Sequence, residues 1–78
     1  MALIKNFVRR ELGRGAVHPT SVDCYFHVFD VNGTTILQLD TQGSRDRKEP
    51  NKQSQTLQLN RDSARRLVDI LRRAFPEP

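Results

Sequence analysis

Few residues in this chain are spaced for chemistry. Cys24 and His27 come nearest, with His18 upstream. A thiol beside an imidazole would give an activated nucleophile or two metal ligands, provided both side chains reach one point. The run CYFHVFDV around them alternates and is rich in aromatic and β-branched residues, so it reads as a strand. Successive side chains of a strand point to opposite faces, which separates Cys24 from His27. The chain holds one cysteine, so no second thiol completes a zinc site. Gly13 and Gly15 do not follow a strand, so no phosphate-cradling loop is present. These absences leave no catalytic residue, no metal, no cofactor and no small-molecule substrate to expect. What remains is a surface. Tyr25, His27, Phe29, Gln38 and Gln58 are residue types that stack on bases or bond to their edges. Arg45, Arg47, Lys48 and Lys52 are types that meet phosphates. Together they suit single-stranded nucleic acid, where each base stacked on a ring contributes about 1–3 kcal/mol.

One hairpin must position the aromatic residues. Val22 to Gln42 reads as two strands joined at Asn32-Gly33, a pair that tolerates the positive φ angles of a type I′ turn. A two-residue turn sets Val31 opposite Thr34. Val28 then faces Leu37, Phe26 faces Leu39 and Cys24 faces Thr41, all on one side. Phe29 faces Ile36, His27 faces Gln38 and Tyr25 faces Asp40 on the other. Apolar meets apolar on the first side, which supports the register independently of the turn. The second side is mixed, and that mixture is the best functional clue.

The rest of the chain supplies a frame. Leu3, Ile4, Phe7 and Val8 recur at helical spacing, which predicts a short amphipathic helix over Ala2 to Leu12, stopped at Gly13. Phe29 and Ile36 would alternatively pack beneath it, leaving Tyr25 exposed. Gly13 to Ser21 is a linker. Gly43 to Gln53 holds no apolar residue and reads as an exposed basic loop. Asp40, Asp46, Glu49 and Lys52 are types that metal-dependent nucleases combine, yet Asp46 and Glu49 fall in this loop without a scaffold. Ser54 to Leu59 alternates again, with Leu57 and Leu59 on one side, and predicts a third strand. Asn60 is a good N-cap, and Asp62 complements the dipole of a helix over Arg61 to Phe75, ended by Pro76. Ala64, Leu67, Val68, Leu71, Ala74 and Phe75 form its apolar stripe, expected to cover the apolar side of the sheet. Ile70 lies off the stripe's centre, a position open to a partner. The expected fold is a single α+β domain, α-β-β-β-α, with an antiparallel sheet of three to four strands.

Composition narrows the partners. Seventy-eight residues make one small domain with a modest core, which a homodimer would help. Thirteen Lys and Arg against nine Asp and Glu give a net charge of +4 and a pI near 10.0, which favours an anionic partner. No apolar run approaches a membrane span. Met1 to Leu12 carries charges where a signal peptide is apolar, and a lone thiol fits a reducing cytoplasm.

The string ILQLDTQGSRDRKEPNKQSQTLQLN, Ile36 to Asn60, resembles the positive cofactor four family of transcriptional coactivators. It looks like that family's second strand, its basic loop with a proline and a lysine, and its third strand ending in Leu-Asn before the helix. The resemblance covers about half of the chain and is topological more than literal. It implies a single-stranded-DNA-binding domain with an antiparallel sheet and one helix, dimerising largely through the helix. The chain departs from the pattern in its N-terminal helix, in the absence of an evident leading strand, and in Asn51 and Gln53 where glycines usually flank the loop's lysine. From a different class, a protein-interaction adaptor using the Ile70 side of the helix or a sheet edge is the competing expectation.

Overall fold

The structure, a computed structural model, describes residues 1–11, 13–42 and 53–77. Four strands, β1 (Ala2–Ile4), β2 (Cys24–Val31), β3 (Thr34–Gln42) and β4 (Gln53–Leu59), precede one helix, α1 (Arg61–Ala74). They form one sheet in the order β1-β4-β3-β2. The β2–β3 and β3–β4 pairs are antiparallel, while β1 runs parallel to β4.

This corrects the expected α-β-β-β-α fold and its wholly antiparallel sheet. No N-terminal helix forms among the described residues, and a leading strand is present. Ala2, Leu3 and Ile4 pair with Leu57, Gln58 and Leu59. The physical reason lies in β4. Its outer edge would otherwise carry unpaired backbone groups, whereas an isolated helix of about ten residues is marginal in water. The apolar pairs Leu3-Ile4 and Phe7-Val8 mimic a helical stripe but serve different elements. Ile4 is half-buried on the sheet, and Phe7, also half-buried, lines a groove with Ile70, Arg73 and Ala74 of α1.

The hairpin register is the one a two-residue Asn32-Gly33 turn dictates, from Val31–Thr34 through to Cys24–Thr41. Both turn residues have positive φ, 51° and 83°, as a type I′ turn requires. Next to it, β4 pairs Leu59 with Leu37 and Leu57 with Leu39. An irregularity follows: Thr41 pairs with Gln55 but Gln42 with Gln53, so β4 carries one extra residue there, a β-bulge. The strand thus begins at Gln53, a residue expected in the loop.

A reciprocal cap starts α1. The Asn60 side-chain oxygen accepts from the Ser63 amide, and the Ser63 hydroxyl oxygen accepts from the Asn60 amide, both at 3.0 Å. Ser63 is fully buried, so this cap also ties α1 to the end of β4. Asp62 sits in the first turn and Arg72 and Arg73 in the last, each favourable to the helix dipole. The Phe75 amide donates to the Leu71 carbonyl at 2.8 Å and closes the helix.

The expected cover of the apolar sheet face by the helix is only partial: α1 covers one corner. It meets the sheet along β4. Leu59, 2% exposed, is the buried hydrophobic residue among those described, while Leu37, Leu39 and Ile4 are half-buried. Alternation puts Phe26, Val28, Leu37, Leu39, Leu57 and Leu59 on that one face.

Two outcomes test these local causes. Nothing lies within 4 Å of a Cβ added to Gly33, so its φ of +83° alone penalises a side chain. Gly33→Val should lower stability by about 1–3 kcal/mol in chemical denaturation; an unchanged midpoint would contradict the type I′ turn. Asn60→Ala should cost about 1–2 kcal/mol, and Asn60→Asp, which keeps the acceptor, should recover most of it.

Candidate nucleic-acid interface

The face of the sheet opposite Leu59 carries the polar and aromatic residues. On β2, Tyr25, His27 and Phe29 occupy alternate positions and therefore one face. Opposite them on β3 stand Asp40, Gln38 and Ile36, and β4 adds Thr56 against Asp40 and Gln58 against Gln38. The structure thus brings Tyr25, His27, Phe29 and Gln38 together as the sequence predicts. Arg45, Arg47, Lys48 and Lys52, and with them Asp46 and Glu49, lie outside the described residues.

The aromatic residues form a row along the sheet's edge. The His27 and Phe29 rings lie 5.3 Å apart, tilted by 37°. His27 is exposed, Tyr25 is 51% exposed, and Phe29 is half-buried. With no N-terminal helix over this face, Phe29 and Ile36 do not pack beneath one. Alternate positions of an edge strand repeat at about 7 Å along the backbone, and the His27 and Phe29 rings lean together from that repeat.

Beside the row, the polar residues bond to one another. Thr56 donates its hydroxyl to Asp40 at 2.8 Å, and the Gln38 amide donates to both Asp40 oxygens at 3.1 and 3.3 Å. Gln58 in turn donates to the Gln38 carbonyl at 3.0 Å. Thr56 is 7% exposed, and no buried side-chain polar atom among the described residues lacks a partner. The network locks Gln38 in place through Asp40. It also sets a carboxylate in the middle of the face, which repels phosphate.

Sequence reasoning identifies Asp40 as a facing residue but misses its role as the hub. The cross-strand pairing of Asp40 with Thr56 depends on how β4 aligns with β3. A long connection leaves that alignment open, whereas the alternation of Leu57 and Leu59 against Leu37 and Leu39 narrows it to a few registers. Among the described residues no group of His, Cys, Asp and Glu is placed to hold a metal ion, and Cys24 is exposed on the other face. No described helix is long and apolar enough to cross a membrane. No protein family, curated protein or solved structure matches the chain.

If Thr56 anchors Asp40, Thr56→Val should lower stability by about 1–3 kcal/mol, because the bond runs to a charged acceptor at a buried site. A thermal midpoint equal to that of the unsubstituted protein would mean that the network does not hold the sheet.

Proposed function

We propose that this protein binds single-stranded nucleic acid without catalysing a reaction on it. The observation that supports this reading most is the row of Tyr25, His27 and Phe29 on one sheet face, two of them exposed. Bases stack on that row, Gln38 meets a base edge at its inner border, and Arg45, Arg47, Lys48 and Lys52 meet the phosphates. The net charge of +4 assists encounter with a polyanion. The resemblance of Ile36 to Asn60 to the positive cofactor four family supports the same ligand class. A lone exposed thiol suits a reducing compartment, and the reading places the protein in the cytoplasm.

Stacking and phosphate binding separate on mutation. Tyr25→Ala should weaken binding to an oligo-dT strand several-fold or more, by about 1–3 kcal/mol, and leave the salt dependence nearly unchanged. Lys52→Ala should reduce the slope of log affinity against log salt by about 0.7, the value for one phosphate left unneutralised on a single strand. Binding should favour single strand over duplex, since a base must leave its stack to reach a ring. Equal affinity for both forms, with Tyr25→Ala silent, would contradict the proposal and favour a protein-interaction adaptor.

A further inference from the structure

One face of a four-stranded sheet has room for two helices, and this chain supplies one. Strands spaced about 4.8 Å apart put the outer two roughly 14 Å from each other, and packed helices need about 10 Å between their axes. The first turns of α1 pack on β4. One flank of α1 meets Phe7, which lines a groove there with Ile70 and Arg73. The other flank borders an open groove floored by Leu37, Leu59, Ala64 and Val68. Further across the same face, Phe26 and Val28 of β2 are 72% and 61% exposed. Residues 43–52 hold no apolar side chain apart from Pro50 with which to cover them.

The helix wall of that groove is cationic. At about 100° per residue, Arg61, Arg65 and Arg72 project within roughly 40° of one another, along the border of the apolar stripe, and all three line the groove. Asp69 is the acidic residue beside them. Five arginines against Asp62 and Asp69 leave α1 at +3 of the chain's +4. Among the described residues no carboxylate lies within 4.0 Å of any of these five, and the ion pair found joins Arg9 to Glu11. Three cations thus stand beside an apolar floor with one aspartate near them, and it pairs with none.

We propose that an amphipathic helix of another protein, apolar on one face and acidic along the adjoining flank, docks beside α1 and completes the second layer. Its apolar side chains pack on Phe26, Val28 and Leu37, and its carboxylates reach Arg61, Arg65 and Arg72. The outer two of these arginines are eleven positions apart, about 16 Å along the axis, so the partner helix has three turns or more. Its acids lie on the α1 side, because Asp30, bonded to Thr35 at 2.8 Å, rims the far side of the face by the hairpin turn. Charge decides this occupant over others. The α1 of a second copy would bring arginines to arginines. A phosphate backbone gains nothing from the apolar floor, and a flat lipid surface does not reach into a groove. The inference is independent of the nucleic-acid reading, which concerns the opposite face.

Titration of the full chain with a synthetic peptide tests it: about four helical turns, leucines on one face and glutamates along one flank. Saturable binding is expected, with NMR shifts at Phe26, Val28 and Leu37 and with Tyr25 and His27 unmoved. The same composition in scrambled order, which loses the apolar face, should bind much more weakly. Arg65→Glu combined with Arg72→Glu, both at exposed positions, should weaken binding roughly tenfold or more and prefer a peptide with lysines in place of the glutamates. That exchange of preference reads out only from a folded chain. No saturable binding, equal binding of the scrambled peptide, or shifts confined to the face of Tyr25 would overturn the inference. So would preferential binding to anionic vesicles, or a species of twice 9.0 kDa that the peptide does not dissociate; these would assign the face to a lipid surface or to a second copy.

Discussion

Asn32 and Gly33 reverse the chain with two positive φ angles, and every side-chain assignment in the sheet depends on that reversal. A slip of one residue would turn Tyr25, His27 and Phe29 to the side of Leu59 and present Phe26 and Val28 on the other. The turn does not act alone. Leu37 and Leu39 stand between Val28 and Phe26 on one side and Leu59 and Leu57 on the other, so three strands agree on which face is apolar. The polar network from Thr56 through Asp40 and Gln38 to Gln58 adds a second set of constraints on the opposite face. A sheet held from both sides in this way can present rings at fixed spacing.

The two faces differ in how complete they are. Among the described residues, the polar side satisfies its own buried groups, and it exposes Tyr25 and His27 together with Leu3 and Val31. The apolar side has one buried leucine among those described and a helix anchored at its first turn by the Asn60–Ser63 cap. That anchor fixes where α1 starts and lets the remainder extend beyond the sheet. The hydrophobic stabilisation from this side, among the described residues, is correspondingly small.

Where the sequence is legible, the reason is local. Asn32-Gly33, the alternation of β2 and β3, and the Asn60 cap depend on neighbours within a few residues, and each appears in the structure where the sequence places it. The N-terminal segment misleads because Leu3, Ile4, Phe7 and Val8 carry a helical period, while the demand that overrides it comes from Leu57 to Leu59, more than fifty residues away. The extent of helix cover is also illegible. The apolar stripe of α1 is genuine, but a stripe does not state whether its partner surface belongs to the same chain. Of the candidate site, Tyr25, His27, Phe29 and Gln38 are readable as one face from the hairpin alone. The hub role of Asp40 needs the alignment of β4.

The most direct measurement is an NMR titration of the protein with a short oligo-dT strand and, separately, with a duplex of equal length. Binding through the aromatic row predicts shifts at Tyr25, His27, Phe29 and Gln38 on the single strand, with Phe26 and Val28 unmoved and little response to the duplex. Shifts confined to the arginines of α1, of equal size for both ligands, would contradict it.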